Sequence, residues 1–136
     1  MIMKISKFIQ NCKPGNVNKI KESISFPRFL KTLVFEQSEP VICVSHSLST
    51  ISLVKSLYEL CSNEEFVRLE NLPLFLDDTQ DIDFSGMSKR ILPVITEESI
   101  RWLVLSSSDR FLKMNEQEIE RLATDFQLIV VTICVV

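Results

Sequence analysis

The amino-acid sequence predicts an α/β fold: a single three-layer domain with a mostly parallel sheet of roughly four or five strands flanked by helices. Three observations carry that expectation. Short runs rich in β-branched residues, "PVICVS" (40–45), "SIRWLVLSSS" (99–108) and "QLIVVTICVV" (127–136), have predominantly apolar centres, as strands buried on both faces do. Between them lie segments with apolar residues at helical spacing. The 136 residues are 46% apolar and 24% charged, a globular balance in a chain long enough to bury about 65–70% of its extended surface.

Residues 1–36 read as a basic N-terminal helical segment packed on or extending from the domain, and 37–136 as the α/β core. The spacing predicts helices around "ISKFIQN" and "NVNKIKESI", ahead of "FPRFLKTLVF". Pro40 opens the first strand. In "STISLVKSLYELC", Ile51, Val54, Leu57, Tyr58 and Cys61 share a helix face, with Ser47 or Ser49 as the N-cap. "EEFVRLE" (64–70) is expected to be a strand and 71–89 a long polar loop. "RILPVI" (90–95) is expected to be an edge strand, since Pro93 cannot donate to a ladder. After the strand at 99–108, Asn115 and Glu118 are spaced as a capping box for a helix that buries Ile119, Leu122, Ala123 and Phe126. The last strand, ending "ICVV", is expected to be central to the sheet or completed by another chain. A homo-oligomer through that C-terminal strand is therefore one expectation.

The chemistry concentrates at "VICVSHSLSTISLV" (41–54), where a strand meets a histidine among serines and a helix follows. Ser45, His46, Ser47, Leu48 and Ser49 resemble the nucleophile elbow of α/β-hydrolases. The elbow's two glycines are serines here, and His46, the only histidine, cannot serve as base for its neighbour Ser47. His46-Ser47-Leu48-Ser49-Thr50-Ile51 also resembles the histidine switch of ABC-type ATPases. The phosphate-binding loop that gives that histidine its role is missing from a chain with only two glycines. One catalytic reading survives: if the strands ending at 45 and 108 are neighbours, His46 and Asp109 converge, with a serine of 106–108 as nucleophile.

"DIDFSGMSKRIL" begins like an EF-hand calcium loop at Asp81, Asp83, Ser85 and Gly86, but Leu92 stands where the bidentate glutamate belongs. A solvated acidic loop is the expected reading, and neither metal nor cofactor is expected. A phosphorylatable receiver domain needs carboxylates at strand ends that here carry serines.

Charge is segregated. Residues 1–34 carry seven basic side chains against Glu22 alone, a local +6, which leaves −9 for the rest of a chain of net charge −3. The commitment that follows is a non-catalytic protein-binding module, of adaptor, assembly-subunit or immunity/inhibitor type. Its contacts are expected at Lys4, Lys7, Lys13, Lys19 and Lys21 and at Asp77, Asp78, Asp81 and Asp83, chosen for charge. The alternatives are a nucleic-acid-associated protein using the basic segment, and a small hydrolase using His46 with Ser106–Asp109. The partner is expected to be another protein. No run is long enough to span a bilayer, and scattered cysteines point to a reducing cytoplasm, with Cys43 and Cys134 as small core hydrophobes.

Overall fold

A computed structural model describes residues 2–20, 25–46, 48–71, 74–78 and 83–135. One sheet of five parallel strands runs in the order β1-β5-β4-β2-β3, flanked by helices on both faces in a three-layer α/β arrangement. The elements are α1 (Ile2–Asn11), β1 (Val17–Ile20), α2 (Phe26–Gln37), β2 (Val41–Ser45), α3 (Thr50–Leu60) and α4 (Asn63–Asn71). They continue with β3 (Leu74–Asp77), α5 (Phe84–Glu97), β4 (Trp102–Ser108), α6 (Asp109–Met114), α7 (Glu116–Phe126) and β5 (Ile129–Val135).

Strand alternation divides the core in two. Val41, Cys43, Trp102, Val104, Ile129 and Val131 face α1, α2 and α3, where Ile5, Ile9, Phe29, Leu33, Leu53 and Leu57 fill the layer. Ile42, Val44, Leu103, Leu105 and Val130 face α5, α6 and α7, meeting Met87, Ile91, Phe111, Ile119 and Leu122. A one-residue slip in any ladder would exchange these faces. Both are apolar, so the register is held by the match of side-chain volumes across each layer.

β5 lies between β4 and β1, paired with β1 from Val17↔Val130 to Ile20↔Ile133. Over Val130–Ile133 it therefore offers no open edge for the association that was expected through the C-terminal strand. The edges of the described sheet are β1 and β3.

Several expectations need correction. Val17–Ile20 is a strand rather than helix. Its backbone is ladder-paired to β5, and Gly15, at φ 81°, makes the turn that leads in. The rest of "NVNKIKESI" at 21–24 lies outside the described residues. "EEFVRLE" belongs to helix α4. Ser62 N–H donates to Glu65 Oε1 at 3.1 Å and Glu65 N–H donates to Ser62 Oγ at 3.3 Å, a reciprocal capping box that starts a helix. "RILPVI" lies within α5, whose Met87, Ile91 and Ile95 recur every four residues on the buried side while Pro93 is exposed. A proline on the solvent side removes a ladder bond without pushing its ring into the core. The stretch expected to be loop contains β3 and the start of α5. Asn115 ends α6 as well as starting α7, and its Nδ2 donates backward to Phe111 O at 2.9 Å, so the capping box with Glu118 is not formed.

With glycine so rare, left-handed backbone falls to Ser38 (φ 52°), Ser99 (φ 53°) and Gln127 (φ 51°). Ser38 closes α2 by donating its N–H to Val34 O at 3.2 Å. Its side chain is not needed for that bond. Ser38→Gly is accordingly expected to raise stability by about 0.5–1 kcal/mol in urea unfolding. A loss would show that the Ser38 hydroxyl matters more than its backbone strain.

Candidate functional site

β2 and β4 are neighbours, with Ser45 opposite Ser106. After β2 the chain leaves through α3 on one face of the sheet, and after β4 through α6 and α7 on the other. The carboxyl ends of these two strands thus form the topological switch point at which open α/β sheets seat ligands.

His46 extends the ladder by one bond, its N–H donating to Ser106 O at 2.9 Å. Its Nδ1 lies 2.7 Å from Ser107 Oγ, and its ring stands edge-on to Phe111 with centroids 4.8 Å apart. Ser45, Ser106 and Ser107 are all buried. Ser45 Oγ accepts from Leu48 N–H at 3.0 Å and holds the turn closed.

Both helix N-termini beside this crevice are satisfied from within the chain. Ser49 Oγ accepts from Ser52 N–H at 3.2 Å, and Asp78 Oδ2 accepts from Thr50 N–H at 2.8 Å, which puts a carboxylate where α3 could otherwise hold an anion. Ser108 Oγ accepts from Phe111 N–H at 3.2 Å at the start of α6. Ser49 is one of the two expected caps of α3; the other, Ser47, lies outside the described residues.

The His–Ser contact has the length of a base–nucleophile pair. Its surroundings differ from the expected set. Asp109, expected to join His46, forms an ion pair with Lys113 at 3.0 Å on the exposed side of α6. Ser107 Oγ is covered in the folded state, so a substrate reaches it only if the corner opens.

The residues expected to make partner contacts are spread over several roles. Lys7 and Lys13 are exposed; Lys4 lies in α1, and Lys21 falls outside the described residues. Lys19 Nζ pairs with Glu116 at 2.9 Å, and Lys31 Nζ with Glu65 at 3.3 Å, so two cations of the basic segment reach acids from the later chain. Asp77 Oδ2 accepts from Arg90 Nε at 3.0 Å and ties the end of β3 to α5. Asp78 caps α3. Asp83 caps α5 by accepting from Ser85 N–H at 3.1 Å, while Ser85 and Gly86 are helical residues rather than calcium-loop positions. Asp81 is outside the described residues. Among the described residues no cluster of three or more metal-ligating side chains occurs, and no helix is long and apolar enough to cross a membrane.

Sequence reasoning missed Asp78 as the carboxylate at α3 and Phe111 as the wall behind His46. The only local signal for Phe111 was the serine cap two residues before Arg110, which announces α6.

The cysteines differ sharply. Cys43 is buried and its thiol is pushed up by burial; Cys12 is pushed up to about 11 by the same cause. Cys61 is also raised, chiefly by burial, with Lys31 pulling the other way. Cys134, expected in the core, is exposed, because it lies on β5 beyond the Ile20↔Ile133 pair that ends β1. Thiol labelling of the folded protein should therefore modify Cys134 first and Cys43 only on unfolding. The buried thiols stay protonated in the fold but ionise near 9.0 once exposed. Their contribution to stability is intact below that pH and is lost as pH climbs from 9 toward 11, which a urea-midpoint series across that range reads directly.

No protein-family model matches the chain, and a search of the curated proteins found no match.

Proposed function

We propose that the chain is a non-catalytic protein-binding module, an adaptor, assembly subunit or inhibitor, working in a reducing, cytoplasmic setting. One observation carries the reading: the switch-point crevice is filled by the chain's own groups. Asp78 sits at the N-terminus of α3, the His46 ring lies against Phe111, and Ser107 is buried behind it. A fold whose usual small-molecule seat is self-occupied has its outer surfaces and sheet edges left for recognition. The free cysteines, with Cys43 packed in the core as a small apolar residue, support the reducing setting.

The test is affinity capture from native lysate with the full chain and with His46→Ala as bait, eluates being assayed for protein and nucleic acid. A stoichiometric protein captured equally by both baits supports the module. Nucleic acid released by salt would move the weight to Lys7 and Lys13.

A second reading, a small hydrolase, is favoured by the 2.7 Å contact between His46 and Ser107. It requires a fluorophosphonate probe to label Ser107 in the native protein and the label to vanish in His46→Ala. An unlabelled native protein ends that reading.

A further inference from the structure

We infer that the groove between the open edge of β1 and helix α7 receives an extended peptide of a partner protein as an added strand, with an aliphatic side chain in one cavity and a basic side chain two residues away in the next. This deepens the protein-binding reading and rests on it.

Three observations converge. The first is the edge. Val130 N–H donates to Asn16 O at 3.2 Å, and a parallel ladder alternates, so Asn18 and Ile20 also turn their peptide groups toward β5. Val17 and Lys19 then present N–H and C=O outward, on the side where β1 has no neighbouring strand in the sheet. Unpaired peptide groups at an edge are a template for strand addition.

The second is a pair of cavities along that edge, both lined by Val17 and Lys19. One, about 200 Å³, has aliphatic walls from Val17, Leu112 and Ile119 and a rim closed by the Lys19–Glu116 and Lys113–Asp109 ion pairs. The other, about 440 Å³ and more open, is bounded by Asn16, Glu120 and Thr124. Alternate side chains of an extended strand fall about 6.6 Å apart, close to the roughly 6 Å rise that separates Glu116 from Glu120 on α7. The cavities are therefore spaced for residues i and i+2 of one added strand.

The third is charge. In the first cavity the rim charges are already paired, so the space suits an uncharged aliphatic group. In the second, Glu120 lines the wall without an ion-pair partner among the described residues, which selects a basic side chain.

The experiment screens the full chain against a displayed random dodecapeptide library and follows the selected peptides by amide NMR. Enriched peptides should carry an aliphatic residue and a Lys or Arg two positions apart, and should shift the Val17 and Lys19 amides. N-methylation of the peptide residues facing β1 should abolish binding, while N-methylation at the alternate positions should leave it unchanged. Glu120→Lys should weaken the basic peptides about tenfold and favour acidic ones at that position. Selected peptides that shift α3 and α4 instead, or that ignore charge reversal at Glu120, overturn the groove while leaving the binding-module reading in place. No enriched peptide together with no captured protein overturns both.

Discussion

Phe29→Ala is expected to lower the stability of the folded chain by about 3–5 kcal/mol, the largest loss foreseen for any single substitution considered. Phe29 is fully buried at the centre of the layer formed by α1 and α2. Its ring meets Phe8 edge-to-face with centroids 6.1 Å apart, and Leu30 and Leu33 continue the same buried surface. Alanine removes both the transferred apolar area and the atoms that filled the space, and two helices anchored to a sheet collapse only partly into the void. Phe29→Leu should cost less, about 1–1.5 kcal/mol, because most of the volume is restored. Urea unfolding of the two variants reads both values. A loss below about 1 kcal/mol for the alanine would mean that α1 does not pack on α2 in solution.

The second large effect is expected at the β2–β4 corner. His46→Ala takes away the partner of the buried Ser107 hydroxyl and the ring packed on Phe111, at a cost of about 1–3 kcal/mol. Ser107→Ala should cost roughly 0.5–1.5 kcal/mol, since the hydrogen bond goes but no hydroxyl is stranded in the core. The double variant should then be less destabilised than the sum of the two, with a coupling of about 0.5–3 kcal/mol. Strict additivity would show that the 2.7 Å contact is not formed in solution, and with it would go the support for the hydrolase reading. The cycle needs no substrate, so it tests the corner independently of any activity.

The parts of the fold that could be read from sequence are those whose signal is local and unopposed. β2, β4 and β5 are built on apolar runs because both of their faces are covered, and α7 buries Ile119, Leu122 and Ala123 as expected while Phe126 is exposed. On α3 the expected face is wrong: Leu53 and Leu57 are buried, and Ile51 and Tyr58 face solvent, because the sheet meets the helix on the side that carries Leu53. The errors fall where local preference is overruled by partners distant in sequence. Val17–Ile20 is four residues long and becomes a strand because β5 offers it a ladder; nothing within "NVNKI" announces that neighbour. Pro93 pointed to a strand edge because its solvent-facing place on α5 depends on which side of the helix meets the sheet. α4 is the exception, since its capping box at Ser62 and Glu65 was present in the letters and was outweighed by Phe66 and Val67.

The candidate site divides along the same line. His46 stood out as a lone histidine at a strand end. Ser107 as its contact required the pairing of β2 with β4, which selects among three consecutive serines. Asp78 could not be connected with Thr50 until β3 was known to lie beside β2, because the two residues meet only through that neighbouring pair.

The pairing of β1 with β5 also governs how the chain acquires its structure during synthesis. β1 waits for β5: Val17 finds Val130 only after the long segment between them has been made, so vectorial assembly leaves β1 without its ladder until β5 emerges. β2, which pairs with β3 on one side and β4 on the other, is positioned to form a sheet nucleus with them earlier. Until β5 arrives, the apolar faces of α1 and α2 have an unfinished sheet to cover. The nascent chain is then at its most adhesive, and chaperone occupancy should peak in that interval and fall as β5 inserts between β4 and β1.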